Sequence, residues 1–310
     1  MMRQNTVEWE KWRLTGIGSS DAPIIMGVSE YKTPYELWLE RLNLIPRPAG
    51  NFGQELGHRY EEDARAIAEE YYATVFEPVL VRSEDYPFMT ASLDGAELSV
   101  LRKPPSGLIL ELKLNNEDRH SEATVGAVPE THHWQLVHQM IAAGVGQAIY
   151  GSYHLKPDAM RVDPADMRFV LVDLRQEDAE RLIQAEGEFI ECLRTETPPA
   201  KLEHDLEWRE DAAWRREARR WLKQKERLER ESAKLKKIEE RLRETAGNRG
   251  AFGAGIRLKP TVRRGSVQYQ RIPELANVDL DKYRGNSSLS WSVSRDKRET
   301  KTPPELGGKR

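Results

Sequence analysis

Leu108-Ile109-Leu110-Glu111-Leu112-Lys113 is an apolar run that alternates at its end, and it reads as a β-strand. Residues two apart on a strand share a face, so Glu111 and Lys113 project side by side, a carboxylate next to an ammonium. That pair suits metal-assisted hydrolysis. The carboxylate can hold a divalent cation, while the lysine can orient or help deprotonate an attacking water and offset developing phosphate charge. The spacing alone is a weak signal, because Glu30-Tyr31-Lys32 repeats it in an expected loop.

Just upstream, Ala91-Ser92-Leu93-Asp94-Gly95 closes another extended run. If the residues between form a hairpin-like excursion, Asp94 and Glu111 meet at adjacent strand ends and share a hard cation through oxygen ligands. Two such carboxylates repel, and a cation relieves that repulsion. Asp94-Gly95 is also a common turn dipeptide.

Working outward, extended runs are expected at 79–81, 89–93, 98–101 and 108–114, separated by turn-rich pieces, as a meander or hairpins. Thr33-Pro34-Tyr35-Glu36 reads as a capped helix start. Over 54–72, Leu56, Tyr60, Ala64, Ile67 and Tyr71 make one apolar stripe, with Glu61 at its border. Further helices are expected at 130–143 and 178–193, with strands at 150–155 and 168–172, before Pro198-Pro199 ends a domain over 1–200. The fold class is thus α/β in the α+β sense, a sheet between helices. Residues 205–246 lack Gly and Pro and stop at Gly247, predicting one helix of ~60 Å. Trp214, Trp221, Leu228, Leu235 and Leu242 recur every seven residues with mostly polar companions, which fits either a self-association arm or a helix lying on its own domain. The region 250–310 is expected to hold short strands around Val262, Val267 to Tyr269 and Leu289 to Val293, and a disordered tail.

The 310 residues carry a net charge of -3, divided between a balance of -14 over 1–200 and +11 over 201–310. A basic tail on an acidic body can bind nucleic acid, its own body or copies of itself. Cys192 is the single cysteine, which excludes an internal disulfide or thiolate-zinc site and fits a reducing cytoplasm. No apolar run is long enough to cross a bilayer as a helix, and no membrane partner is expected. His132, His133 and His138 lack the His-Glu-x-x-His spacing and read as polar-face residues or phosphate contacts. No Gly-x-Ser-x-Gly elbow is present.

The order Arg13, then Gly16-Ile17-Gly18-Ser19-Ser20-Asp21, Gly57-His58-Arg59-Tyr60-Glu61-Glu62-Asp63-Ala64-Arg65, Ser92-Leu93-Asp94-Gly95, Glu111-Leu112-Lys113 and Gln135 resembles the YqaJ-like viral recombinase family. That family groups with phage lambda exonuclease in the PD-(D/E)xK nuclease superfamily, and the likeness spans about residues 8 to 155. It implies a restriction-endonuclease-like core, a mixed β-sheet flanked by helices. It also implies an exonuclease of phage-type recombination that digests linear duplex DNA from 5′-phosphorylated ends.

By the same resemblance, Asp94, Glu111 and the Leu112 carbonyl bind Mg2+ or Mn2+, Lys113 acts on the nucleophilic water, and Glu61 and Gln135 support the site. Arg13 and Ser20, joined by Ser92, grip the 5′-phosphate. Ser19 or Ser20 can also cap a helix entered through Asp21-Ala22-Pro23. Two departures are visible: Val137 stands where a second glutamine is frequent, and Leu93 where proline is usual. The resemblance further implies double-stranded DNA ends as partner, a homo-oligomer such as a trimer, and a single-strand annealing protein. Two rivals are a non-catalytic DNA-end-binding scaffold and a structure-specific endonuclease of the same superfamily.

Overall fold

The computed structural model describes residues 12–47, 52–156, 159–247 and 249–261, together with residue 8 and short stretches beyond 264. The chain divides into a first unit ending at Leu206 and a second over Glu207–Lys297.

The first unit is built on a six-stranded mixed sheet. Its strands are β1 (Ile17–Gly18), β2 (Glu77–Arg82), β3 (Met89–Ala96), β4 (Ile109–Leu114), β5 (Gln147–Tyr153) and β6 (Met167–Asp173). The order is β1-β3-β4-β5-β6, with β2 also paired to β3; β1/β3 and β4/β5 are parallel and the other pairs antiparallel. The helices are α1 (Ala22–Ile25), α2 (Pro34–Arg41), α3 (Phe52–Tyr72), α4 (Glu117–Thr124), α5 (Glu130–Ala143) and α6 (Gln176–Arg194). A mixed sheet flanked by helices is the architecture the sequence predicted.

Two apolar clusters hold this sandwich together. Ala64 and Ala68 of α3 pack with Phe76, Leu110, Leu112 and Ile149 on one side. Leu136, Val137 and Met140 of α5 pack with Met89, Ala91, Leu93 and Ile109, and with Leu182 of α6, on the other. Each fully buried leucine or isoleucine here contributes ~1.5–3 kcal/mol. Val137 and Leu93, the two departures from the family pattern, are both core residues.

Local signals placed most elements. Thr33 and Glu36 form a reciprocal capping box at the start of α2, with Pro34 as its first residue. Gly144, at φ 71°, ends α5 in the left-handed conformation that glycine adopts without penalty. Three expectations need correction. Leu98–Leu101 is a 3-10 turn, not a strand. It sits in a loop closed at its base by Glu97, whose carboxylate accepts from the Leu108 N–H and the Thr74 hydroxyl. Neither Ser19 nor Ser20 caps a helix: Ser19–Asp21 is itself a 3-10 turn, and the Asp21 carboxylate accepts from the Gly18 N–H. His138 is not on a polar face but 0% exposed, because α5 is covered both by the sheet and by α6.

In the second unit, α7 (Ala212–Thr245) starts seven residues later than expected, where the Asp211 side chain caps the Trp214 N–H. Its 34 residues span ~51 Å. The strands β7 (Ala251–Gly253) and β8 (Ile256–Leu258) form a hairpin through Ala254 and Gly255, both at positive φ as a two-residue primed turn requires. The strands expected at 262, 267–269 and 289–291 lie outside the described residues, and Ser292 and Val293 have no regular structure.

Candidate active site

Glu111 is the centre of the site. It is 2% exposed on β4, yet three side-chain donors meet its carboxylate. Lys113 Nζ lies 2.5 Å from Oε1. Gln135 Nε2 donates to Oε1 at 2.6 Å and Gln139 Nε2 to Oε2 at 2.5 Å. The strand period puts Lys113 on the face of Glu111, and the helical period puts Gln135 and Gln139 one turn apart on the face of α5 that covers it. Gln139 thus gives Glu111 a second amide donor, while Val137 packs in the apolar core.

Asp94 reaches the same place through an irregular strand. Val79 pairs with Leu93 and Glu77 with Ala96, so β3 carries one residue more than β2 over this step, a β-bulge around Asp94 and Gly95. On its other edge β3 pairs with β1 at Met89 and Thr90 and with β4 at Gly95 and Ala96, and the ladder is open between them. Asp94 Oδ2 fills part of that opening by accepting the Leu112 N–H at 2.8 Å. On α3, Arg65 donates to the Asp94 carbonyl at 2.7 Å and lies 3.8 Å from Glu61, whose other oxygen is 3.5 Å from His58 Nδ1.

These placements set the charges. Burial, then the Glu111 and Glu61 carboxylates, push the Asp94 carboxyl well above the usual range, against the opposing pull of Lys113 and the Leu112 N–H. Burial pulls the Lys113 ammonium down, but Glu111 and Asp94 outweigh it and hold it above its ordinary value. Lys113 is therefore a cation in this arrangement, a donor and a charge-neutralising group.

Among the described residues, no group of three or more His, Cys, Asp or Glu side chains is arranged to hold a metal ion. The expected donor set is smaller: two carboxylates and a main-chain carbonyl. It is all oxygen and carries excess negative charge, which suits a hard divalent cation. A carboxylate offers about four lone-pair directions, so Glu111 keeps room for such an ion beside its three donors.

At the other end of β3, the parallel pairing of Gly18 with Thr90 places the residues expected to hold a phosphate. Arg13 Nη2 donates to Ser20 Oγ at 3.0 Å. Arg41 forms an ion pair with Asp21 and donates to the Arg13 carbonyl at 3.3 Å. Burial raises the Asp21 carboxyl, but Arg41, Arg13 and Arg47 outweigh it and hold it below the usual range. Ser92 lies two residues beyond Thr90 on the open stretch of β3, half-buried. The structure thus joins Arg13 to Ser20 directly and sets Ser92 between that pair and Asp94 along the strand.

Sequence reasoning gave no role to Arg65, although it stands four residues after Glu61 on one helix face. It also left out the buried pair of His138 Nδ1 and Glu186 Oε1, 2.7 Å apart, in which the histidine also donates Nε2–H to the Thr90 carbonyl at 3.0 Å. The Glu186 carboxylate outweighs burial and raises the His138 ring above its ordinary value. No spacing in the sequence announces a contact across 48 residues.

Residues 8–146 match the family described as the YqaJ-like viral recombinase domain. The uncharacterized protein YqaJ of Bacillus subtilis (strain 168) is 31% identical over 147 residues, covering 44% of this chain and 42% of that protein. The chain thus spans about two fifths of the length of that relative. The crystal structure of an alkaline exonuclease (LHK-Exo) from Laribacter hongkongensis is similar with a TM-score of 0.50 and 21% identity, over 62% of this chain and 94% of that one. The same exonuclease in complex with dAMP gives a TM-score of 0.51. At this identity the likeness is one of fold, the mixed sheet and flanking helices already described. Residues 8–146 are thus similar to the YqaJ-like viral recombinase domain in sequence, and the first unit is similar to a solved alkaline exonuclease in fold.

Proposed function

We propose that this chain is a divalent-metal-dependent DNA exonuclease that hydrolyses phosphodiesters from the 5′-phosphorylated ends of linear duplex DNA and leaves 3′ single-stranded tails. The observation that carries this reading is the meeting of Asp94, Glu111 and Lys113, from two strands, at the open stretch of the sheet. The match of residues 8–146 to the YqaJ-like viral recombinase domain and the likeness of fold to a solved alkaline exonuclease support it.

Asp94, Glu111 and the Leu112 carbonyl would hold Mg2+ or Mn2+, which when bound would supply Lewis-acid stabilisation of charge and make water more acidic. The remaining work belongs to the chain. Gln135 and Gln139 fix the Glu111 carboxylate. Arg65, steadied by Glu61, fixes the Asp94 backbone. Lys113 orients the water and offsets charge that develops on the phosphate. Arg13 and Ser20, with Ser92, bind the terminal 5′-phosphate as a charge-assisted donor set. The basic residues of 209–264 supply the positive field that the acidic first unit lacks, within one chain or from a neighbour in an oligomer, and a single-strand annealing protein would take up the exposed tail. Such an enzyme would act in the bacterial cytoplasm; no helix among the described residues is long and apolar enough to cross a membrane.

The test is digestion of 5′-phosphorylated linear duplex with and without Mg2+ by the wild-type chain, Glu111→Ala and Lys113→Ala. Metal-dependent loss of the 5′ strand only in wild type is expected. Equal digestion by all three moves the chemistry elsewhere, and cutting of circular single strands turns the reading into an endonuclease.

A further inference from the structure

Beside Lys113 lies a connected set of polar side chains to which the proposed reaction gives no part. Asn115, one residue past β4, donates Nδ2 to the Tyr150 hydroxyl at 2.8 Å and to Ser152 Oγ at 2.8 Å. Tyr150 is buried on β5, directly across the ladder from Glu111. Its hydroxyl has one proton to give. Because Asn115 and Ser152 both act on it as donors, that proton goes to the remaining partner, His132 Nδ1, 2.8 Å away. Nδ1 must then present a lone pair, and the neutral ring carries its hydrogen on Nε2.

The electrostatics agree with this tautomer. Burial, then Lys113 and Arg119, push the His132 ring down to about 3, and burial pushes the Tyr150 hydroxyl up to about 12. His132 precedes Gln135 by three residues on α5, so it shares the helix face that addresses Glu111. Its side chain is half-buried, and Tyr150 is its hydrogen-bond partner among the described residues. One fixed donor, Nε2–H, is thus left beside two cations.

We infer that His132 binds the DNA backbone as a neutral donor, its Nε2–H directed to a phosphate oxygen next to the scissile bond, with Tyr150 fixing the tautomer and Lys113 and Arg119 supplying the charge. This rests on the nuclease reading above. A phosphate oxygen only accepts hydrogen bonds, so a donor locked in one tautomer fits it without any change of protonation. A neutral donor also releases no counterion, which separates it from a lysine or arginine contact.

The experiment uses the full chain as wild type, His132→Phe, His132→Gln and His132→Ala. Affinity for 5′-phosphorylated linear duplex is measured with Ca2+ replacing Mg2+ over a series of salt concentrations, and cleavage is followed separately with Mg2+. His132→Phe and His132→Ala should weaken binding about tenfold, the loss of one hydrogen bond to a charged group, with an unchanged salt slope. His132→Gln, whose amide can reach the position of Nε2, should restore most of it. Two-bond 1H–15N spectra should show the Nε2–H tautomer from pH 5.5 to 8. Unchanged affinity in His132→Phe, a salt slope reduced by about one, no rescue by glutamine, or a cationic ring in that pH window each overturns the inference. If the Ala and Phe variants lose cooperative unfolding, the glutamine variant and the spectra still decide. A wild-type chain that neither binds nor cleaves this DNA overturns the nuclease reading itself.

Discussion

The backbone N–H of Leu112 donates to Asp94 Oδ2 at 2.8 Å, so a side chain takes the place of a ladder bond where β3 and β4 part. One oxygen of Asp94 is therefore structural, and the charge of the group is a separate property. Asp94→Asn keeps an acceptor for Leu112 and removes the charge. Its thermal midpoint should stay within a few degrees of wild type while cleavage falls ~10²-fold or more. A large drop in midpoint with activity retained would reverse the assignment.

Lys113→Met takes one of three donors from a buried carboxylate. Gln135 and Gln139 remain, and Lys113 is itself partly exposed, so the expected loss of stability is about 1–3 kcal/mol, below that of a fully buried broken pair. The loss in cleavage should be larger, about 10²- to 10⁴-fold. Urea unfolding and single-turnover kinetics on the same preparations separate the two effects.

Gly95→Ala tests the bulge. A Cβ at Gly95 would lie 2.7 Å from the Phe76 Cβ and 3.3 Å from the Leu110 Cβ, both close to the backbone and unable to swing away. The strand must shift, at about 1–3 kcal/mol. Because Asp94 is the next residue, cleavage should fall together with the thermal midpoint.

His132 links stability to pH. Its folded value of about 3 lies below the ordinary 6.5, so between these limits the unfolded chain binds a proton that the folded chain refuses. The residue therefore costs nothing above pH 6.5 and takes stability away as pH falls below it. Wild type should lose about 1–2 kcal/mol more than His132→Gln between pH 7.5 and 5 in urea unfolding. His138 works in the opposite sense, which is why the comparison is between variants.

A chain ending at Leu206 keeps both apolar clusters of the first unit. It should unfold cooperatively, bind duplex DNA more weakly, and show a shallower dependence of affinity on salt. Unchanged DNA binding would show that the basic second unit plays no part.

Much of this was legible in the sequence, for identifiable reasons. Strand alternation set Glu111 beside Lys113, helical period set Glu61 at the edge of the α3 stripe, and Thr33-Pro34-Tyr35-Glu36 carried its own cap; at the end of that stripe, though, Tyr71 is 69% exposed and Tyr72 packs on the core instead. Such signals are local, and local geometry obeyed them. What the sequence hid depends on tertiary cover. His138 reads as polar-face until α6 is laid over α5. Gln139 reads as one more amide until β4 brings a carboxylate against it. Leu98–Leu101 has strand composition, but the bonds of Glu97 close the loop too tightly for it to extend.

The extra residue in β3 has a consequence for how this chain could lose the proposed chemistry while staying folded. Remove that one residue and β2 and β3 would pair without a break from 77 to 96, a more regular sheet by every backbone criterion. The price would fall on Asp94, whose carboxylate would turn with the strand's alternation away from Leu112. A drift toward greater regularity at this point would leave a sound scaffold with no cutting edge.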